Sequence, residues 1–287
     1  MALQQIIDKS LQRLESVPDT FIGMVNKQNE ALWRELLKLL DELEYKDGVI
    51  VNSAVNLAKS EEIVSRLQQV MFGGDYLEGL REFITEFDQQ TLLVNGYMGS
   101  TFENFTSDKA LYDAVVNQSK KTTLSLFDQS AIDKQWADPL RKIFQDNIIV
   151  QGTRADMLKV LETYVKGSPE REARLSRYVG TIARDSFNIF NRNYTMMLSE
   201  ELGVNNFRYA GGTVKDSRDF CIARAGRIFD KKTIESWASQ TWQGKNPATD
   251  EKTIFSYAGG YNCMHSILPV SDENKGAFFN EVRKIKK

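Results

Sequence analysis

The chemically distinctive side chains of this sequence lie in a short stretch of its last third. The chain has one histidine, His265, and two cysteines, Cys221 and Cys263. Thiolate sulfur and imidazole nitrogen are typical zinc ligands, and the Cys-x-His spacing predicts that two of them share one face of a strand. Cys221 comes from a preceding turn, and Asp219 or a water molecule completes the set. The sequence therefore predicts a zinc site at Cys221, Cys263, His265 and Asp219.

Two other interpretations of these residues remain open at this stage. Dedicated structural zinc sites usually offer four Cys or His ligands, and this chain has three such residues. A disulfide between Cys221 and Cys263 would stabilise the fold by about 4 kcal/mol in the chain-entropy model, but only in an oxidising setting. Alternatively, both thiols pack as small buried hydrophobic groups.

Catalysis is not predicted. His265 is the only imidazole, so a Ser/His/Asp relay has one candidate base, and the sequence contains no GxSxG segment. The glycine-rich stretches GGDYLEG and AGGTV lack the lysine and the spacing of a phosphate-binding loop. We therefore expect no enzyme activity and assign no catalytic residue.

The first two-thirds of the chain carries apolar residues at three- and four-residue steps, which predicts packed amphipathic helices. Asp19 or Thr20 is the expected cap of the first of them, Gly48 its stop, and Pro139 the start or a kink of a later one. No paired strands are expected between residues 20 and 150. The predicted helical segments are 19–48, 53–72, 75–94, 107–126 and 131–147.

A longer helix follows, and after it the sequence texture changes. Ser168 as N-cap, Pro169 at the first helical position and Gly203 as stop predict a spine helix over 168–203. Aromatic and β-branched residues then alternate with polar ones, and glycine pairs interrupt them, which is typical of short strands. The predicted fold is mainly α, with a helical first two-thirds and a small α+β C-terminal module. The predicted domains are a helical domain 1–167, the connecting helix 168–203, the module 204–270 and a charged tail 271–287.

Charge is distributed unevenly along the chain. Residues 1–100 hold 9 Lys and Arg against 16 Asp and Glu, whereas residues 166–232 hold 13 against 8. The basic stretch from Arg171 to Arg227 can approach phosphate, so a DNA-binding factor is one alternative function, although no specific DNA-binding residue is assigned. No apolar run reaches the length of a membrane span, and the charges from Asp8 onward do not match a signal peptide.

Several spaced motifs occur in a recognisable order. An arginine-bearing helix, IARDSFNIFNRNY, precedes FRYAGGTVKDSRDFC, a tryptophan-containing helix and finally GGYNCMH. Over about residues 175–270 this order resembles the Mu F-like minor head protein family of tailed phages. Met264 stands where that family more often has arginine. The matching positions are Asp216, Arg218, Cys221, Gly226, Asn262, Cys263 and His265.

The resemblance implies a minor structural protein of a phage head, at the portal vertex or inside the capsid, acting in head morphogenesis and in DNA packaging or delivery. It implies the portal protein, other virion proteins and packaged DNA as partners, and synthesis in the bacterial host cytoplasm. Zinc is the candidate cofactor. A metal-dependent or toxin-like enzyme built on the C-terminal module is the other alternative function.

The motif residues also have expected structural roles. Asp216 is expected to accept backbone N–H groups in its turn, and Arg218 to pair with a nearby carboxylate. Asn262 is expected to satisfy loop amides.

Overall fold

The computed structural model describes residues 2–73, 75–106 and 109–271, and the fold is mainly α, as predicted. The predicted tail, 271–287, lies outside the described residues except for Ser271. The helices are α1 (Leu3–Leu40), α2 (Ala54–Met71), α3 (Asp75–Thr101), α4 (Lys109–Ser125), α5 (Gln129–Ile132), α6 (Asp138–Ile149), α7 (Arg154–Val165), α8 (Arg174–Glu201), α9 (Asp219–Ile222), α10 (Lys231–Ser236) and α11 (Ile254–Tyr257). The strands are β1 (Tyr45–Lys46), β2 (Val49–Ile50), β3 (Gly167–Ser168), β4 (Arg171–Glu172), β5 (Asn206–Ala210), β6 (Ile228–Asp230) and β7 (Ser266–Pro269).

Helix α1 differs from its prediction at both ends. It begins at Leu3, so Asp19 and Thr20 lie in its interior, next to the internal Pro18. It ends at Leu40, and β1 and β2 then form an antiparallel hairpin around Asp47 and Gly48, both at positive φ. The predictions of a cap near Asp19, of a helix reaching Gly48 and of no paired strands between 20 and 150 are therefore wrong.

The following helices match their predicted positions more closely. Ser53 caps α2 by accepting a hydrogen bond from the Asn56 backbone N–H. Helix α3 extends seven residues beyond the predicted end, to Thr101. A π-helical turn at Asp133–Ala137 joins α5 to α6, and Pro139 lies in the first turn of α6.

The spine helix is shorter than predicted. Ser168 and Pro169 do not start it, because Gly167 and Ser168 pair as β3 with Arg171 and Glu172 of β4. Helix α8 begins at Arg174 instead. Its C-terminal stop is as predicted, since Gly203 follows at a positive φ of 65°.

The chain forms two compact units whose boundaries fall inside α1, α3, α4 and α8. Unit 1 contains residues 1–18, 85–121 and 183–287, and unit 2 contains 19–84 and 122–182. The predicted boundaries near residues 167 and 204 do not separate these units, because the C-terminal module belongs to the same unit as the start of α1.

Unit 2 is a helical core with aromatic residues at its centre. Phe21 stacks on Phe83 with ring centroids 5.2 Å apart and meets Phe127 edge-on at 5.4 Å. A buried polar pair, in which Asn29 Nδ2 donates to Ser176 Oγ at 2.6 Å, joins α1 to α8 within this unit. Aromatic packing and a buried hydrogen bond thus both hold the helices of this unit together.

Unit 1 combines helices with a three-stranded sheet. The strand order is β6-β5-β7 and both pairings are antiparallel, with Tyr209 opposite Ile267 and Phe207 opposite Phe229. The sheet is attached to the helices by hydrogen bonds, because Tyr97 Oη donates to the Pro269 carbonyl at 2.5 Å. The core of the module is formed by Phe207, Tyr209, Phe220, Cys221, Ile234, Trp237, Ile254, Phe255, Ala258, Cys263 and Ile267.

Within the described residues, no helix combines the length and the apolar character needed to cross a membrane.

Candidate metal centre

Three of the four predicted ligands converge in the module. The ligand atoms of Cys221, Cys263 and His265 all lie within 4.8 Å of one another, and all three residues are buried. Cys263 Sγ is 3.8 Å from His265 Nδ1. Zinc bonds of about 2.0–2.3 Å in a tetrahedron separate ligand atoms by roughly 3.5 Å, so small side-chain movements would bring these atoms around one ion. The cluster could therefore hold a metal ion.

Asp219 is not part of this group. It stands in the first turn of α9, its side chain is exposed, and it is absent from the cluster of ligand atoms. The predicted fourth ligand is thus not supplied by Asp219, since α9 directs Cys221 into the core while Asp219 faces solvent.

The cysteine and histidine side chains come from a short helix and a loop. Cys221 lies on α9, whereas Cys263 and His265 lie in the irregular segment just before β7. The prediction that Cys263 and His265 lie on a strand is therefore wrong, although their side chains converge as predicted.

Tyr209, on the central strand β5, is the common neighbour of the cluster. Its hydroxyl lies 3.4 Å from Cys221 Sγ and 3.6 Å from Cys263 Sγ, and its ring stacks on His265 with centroids 4.8 Å apart. Burial raises the pKa of Tyr209 well above its ordinary value, so the hydroxyl keeps its one proton and can donate it to either sulfur atom.

Arg192 holds the loop that carries two of the ligands. It projects from α8, is 2% exposed, and donates to the carbonyls of Ser256 at 2.7 Å, Cys263 at 3.0 Å and His265 at 2.8 Å. Three carbonyl acceptors satisfy the buried guanidinium, which would otherwise be costly to desolvate. Arg192 therefore fixes the backbone positions of Cys263 and His265.

Two glycines leave room for the cluster. A Cβ at Gly259 would lie 2.5 Å from Cys221 Sγ and 2.9 Å from Cys263 Sγ, and the Gly259 N–H donates to Cys263 Sγ at 3.3 Å. At Gly211, whose φ is 135°, a Cβ would lie 3.0 Å from His265 Cδ2. The close approach of backbone to sulfur and imidazole explains the need for glycine at both positions.

The two thiols differ in acidity. A hydrogen bond from Cys221 lowers the pKa of Cys263 well below its ordinary value, and His265 and Arg192 contribute in the same direction. The same hydrogen bond, followed by burial, raises the pKa of Cys221. Cys263 is thus the more acidic of the two, and a thiolate is the form in which cysteine binds metal.

The cluster borders a cavity of about 400 Å³. The ring atom His265 Nε2 is buried and has no hydrogen-bond partner among the residues that the structure describes. The cavity is lined by Gly212, Val214, Asp216, Ser217, Arg218, Cys221, Gln243, Gly244, Asn262, Cys263, Met264 and His265. A metal ion held by three protein ligands would thus have a neighbouring space for a water molecule or another small ligand.

The predicted roles of Asp216 and Arg218 are not the observed ones. Ser217 Oγ, rather than Asp216, accepts the turn hydrogen bond from the Val214 N–H, at 2.8 Å, while the Asp216 side chain is exposed. Arg218 Nη2 donates to the Tyr261 carbonyl at 2.6 Å instead of pairing with a carboxylate. The turn is thus closed by a hydroxyl, and the arginine binds the loop that precedes Cys263.

The remaining motif residues, Gly226 and Asn262, have backbone roles. Gly226, at φ 75°, donates its N–H to the Tyr209 carbonyl at 2.8 Å two residues before β6. Asn262 adopts a φ of 54°, and its N–H donates to Asp185 Oδ1 at 2.6 Å. Asn262 thus tolerates a left-handed backbone next to Cys263 and is itself held by α8.

The basic stretch is divided between the units and is partly engaged internally. Arg171 falls in unit 2, whereas Arg224 and Arg227 fall in unit 1. Arg224 lies over the Phe220 ring at 3.8 Å, and Arg227 donates to the Ala223 carbonyl at 3.0 Å. The stretch 171–227 is therefore not a single unpaired basic surface.

No protein-family model, no curated protein and no solved structure matches this chain.

Proposed function

We propose that Cys221, Cys263 and His265 bind zinc as the structural centre of the C-terminal module. The observation that supports this proposal is that their ligand atoms lie within 4.8 Å of one another in the buried core of the module. Two sulfur atoms and one imidazole suit zinc better than magnesium or calcium. When bound, the ion would cross-link α9 to the loop before β7, and Tyr209 and the Gly259 N–H would donate to its thiolate ligands.

For the whole protein, we propose a minor structural protein of a tailed-phage head, at the portal vertex or inside the capsid. Support comes from the motif order that resembles the Mu F-like family and from the way its motif residues cooperate. Asp185 and Arg192 of the arginine-bearing helix hold the Asn-Cys-x-His segment through Asn262, Cys263 and His265. The proposed partners are the portal protein, other virion proteins and packaged DNA.

Metal content tests the first proposal. Protein purified without chelators should contain about one zinc per chain by plasma mass spectrometry, and cobalt substitution should give thiolate charge-transfer absorption. Cys263→Ser should lose both signals. Met264→Leu changes a neighbouring side chain that is not a ligand and should retain them. Wild-type protein with neither zinc nor a cobalt spectrum would leave a packed cluster of thiols.

Position in the particle tests the second proposal. Mass spectrometry of purified heads from a phage that carries this gene should detect the protein, and heads from a deletion strain should be defective in assembly or infectivity. Particles that lack the protein, while it accumulates free in infected cells, would contradict a virion role.

The cavity beside the cluster favours one second candidate, a metal-dependent enzyme. Catalytic zinc sites keep one position for water or substrate, and the three-residue set with its adjoining space has that composition. A ligand-exchange experiment separates the candidates. The cobalt spectrum of a structural centre should not change on adding cyanide or a small thiol, whereas that of an accessible centre should shift.

A further inference from the structure

Unit 2 contains a second cavity, of about 440 Å³, which is remote in sequence from the cysteine and histidine cluster. It lies among α6, α7, β4 and the start of α8. Its lining residues are Ile143, Lys159, Val160, Thr163, Tyr164, Arg171, Glu172, Arg174 and Arg177.

The cavity is strongly basic. Lys159, Arg171, Arg174 and Arg177 line it against one carboxylate, Glu172. Within the described part of the chain, none of these four cations forms an ion pair, although arginines elsewhere in the unit do, such as Arg66, Arg141 and Arg154. Unpaired cations around a concave space attract an anion and gain most from a phosphate, which accepts several hydrogen bonds at once.

Internal hydrogen bonds hold two of the lining side chains in place. Pro139 has no N–H for the carbonyl four residues earlier, that of Gln135, and Arg174 Nε donates to this carbonyl at 2.9 Å. Tyr164 Oη donates to the neighbouring Trp136 carbonyl at 2.7 Å. The Arg174 and Tyr164 side chains are therefore preorganised, while Arg171 and Arg177 keep their donors available to a ligand.

Part of the lining is apolar. Ile143, Val160 and the ring of Tyr164 contribute to it, and Val160 is 45% exposed. A volume of about 440 Å³ falls in the range of small-ligand sites, and apolar residues together with several cations suit a ligand with a flat organic part and a phosphate. Inorganic phosphate alone would leave the apolar residues without a partner.

We propose that this cavity binds a nucleotide through its phosphate, with Arg171, Arg177 and Lys159 as the phosphate ligands and Ile143 and Val160 against the base or sugar. A free nucleotide and one nucleotide of a nucleic-acid strand share this chemistry. The proposal does not depend on zinc or on a virion role, since every residue that carries it lies in unit 2.

Binding assays with the full-length protein test the site. Isothermal titration with AMP, adenosine and inorganic phosphate should show AMP binding most tightly, and fluorescence anisotropy should measure a labelled single-stranded oligothymidylate. The double variant Arg171→Ala/Arg177→Ala should weaken the binding of the phosphate-bearing ligand by about tenfold or more, because it removes two charge-assisted contacts. Glu172→Gln should tighten binding, because it removes the only carboxylate in the lining.

A charge-matched control keeps the assay specific. Arg66→Ala/Lys142→Ala removes two cations of the same unit that pair with carboxylates outside the cavity. This variant should bind like the wild type. If AMP and the oligonucleotide both fail to bind, if adenosine binds as tightly as AMP, or if both double variants weaken binding equally, the proposal is overturned. Binding of AMP alone identifies a free nucleotide as the ligand, and binding of the oligonucleotide alone or with AMP identifies a nucleic-acid strand.

Discussion

At the scale of single residues, the cluster is defined by how little space surrounds its sulfur atoms. Tyr209 Oη contacts both thiols, and the backbone of Gly259 approaches them from another side. Interiors packed this closely respond to a single added methyl group. Gly259 is therefore the position at which the smallest substitution should disturb the cluster.

Gly259→Ala should destabilise unit 1 by about 1–3 kcal/mol, because the new methyl group overlaps both sulfur positions. It should also weaken the proposed zinc binding by about tenfold or more. Urea unfolding followed by tryptophan fluorescence measures the first effect, since Trp237 lies in the same core and Trp242 packs against it. Gly212→Ala is the control, because its Cβ would meet nothing within 4 Å. Equal effects of both changes would contradict this account of Gly259.

The sequence predicted the three cluster residues but not the residues that hold them in place. Because the 287 residues include one histidine and two cysteines, these three side chains are clear candidate ligands. Arg192 and Tyr209 do not, because an arginine on an amphipathic helix usually reaches solvent and a tyrosine in a strand is usually core. The available signal for Arg192 is its place between two phenylalanines and a tyrosine in IARDSFNIFNRNY. Which carbonyls it binds depends on tertiary contacts.

At the scale of elements, two prolines lie inside or near the start of helices, and side chains from other elements compensate for both. Pro18 leaves the Leu14 carbonyl without its usual partner, and Asn188 Nδ2 of α8 donates to that carbonyl at 3.3 Å. Arg174 does the same for the carbonyl that Pro139 leaves free. Such contacts let α1 continue through Pro18 instead of ending there.

A double-mutant cycle tests this compensation. Asn188→Ala should destabilise the protein by about 1–3 kcal/mol, because the buried Leu14 carbonyl loses its donor. In a Pro18→Ala background the cost should be smaller, because the alanine N–H can then bond to Leu14. The free energies of unfolding of the two single variants and the double variant, measured in urea, give the coupling. Additive changes would show that Asn188 acts independently of Pro18.

The compensation also explains which helix boundaries the sequence failed to predict. The periodic apolar positions predicted the cores of α2 to α6, because periodicity depends on which face is buried. The predicted starts of α1 at Asp19 and of α8 at Ser168 were wrong. Tertiary hydrogen bonds overrode the local cap preference in α1, and the β3–β4 hairpin overrode it before α8. Cap residues are a weak signal when a remote side chain such as Asn188 lets the helix continue past them.

At the scale of the whole molecule, chain order and compact units do not coincide. Unit 1 takes the start of α1, the second part of α3, most of α4, the second part of α8 and the C-terminal module. Hydrogen bonds such as Gln90 Nε2 to Asn191 Oδ1, at 2.8 Å, and Asn191 Nδ2 to Ser266 Oγ, at 3.0 Å, connect these segments within the unit. Loss of order in the module should therefore spread to helices far away in sequence.

Cys263→Ser separates this expectation from a purely local effect. The module should loosen, because the substitution removes a buried sulfur atom of the cluster and a proposed zinc ligand. Hydrogen exchange measured by mass spectrometry should increase in residues 206–271 and also in 85–106, which belong to the same unit, whereas 19–73 and 122–182 should keep their protection. Ser53→Ala removes the cap of α2 and is the converse control, since its effect should be confined to unit 2. Increased exchange limited to 206–271 after Cys263→Ser would show that the module behaves as a separate domain, as the sequence alone predicts.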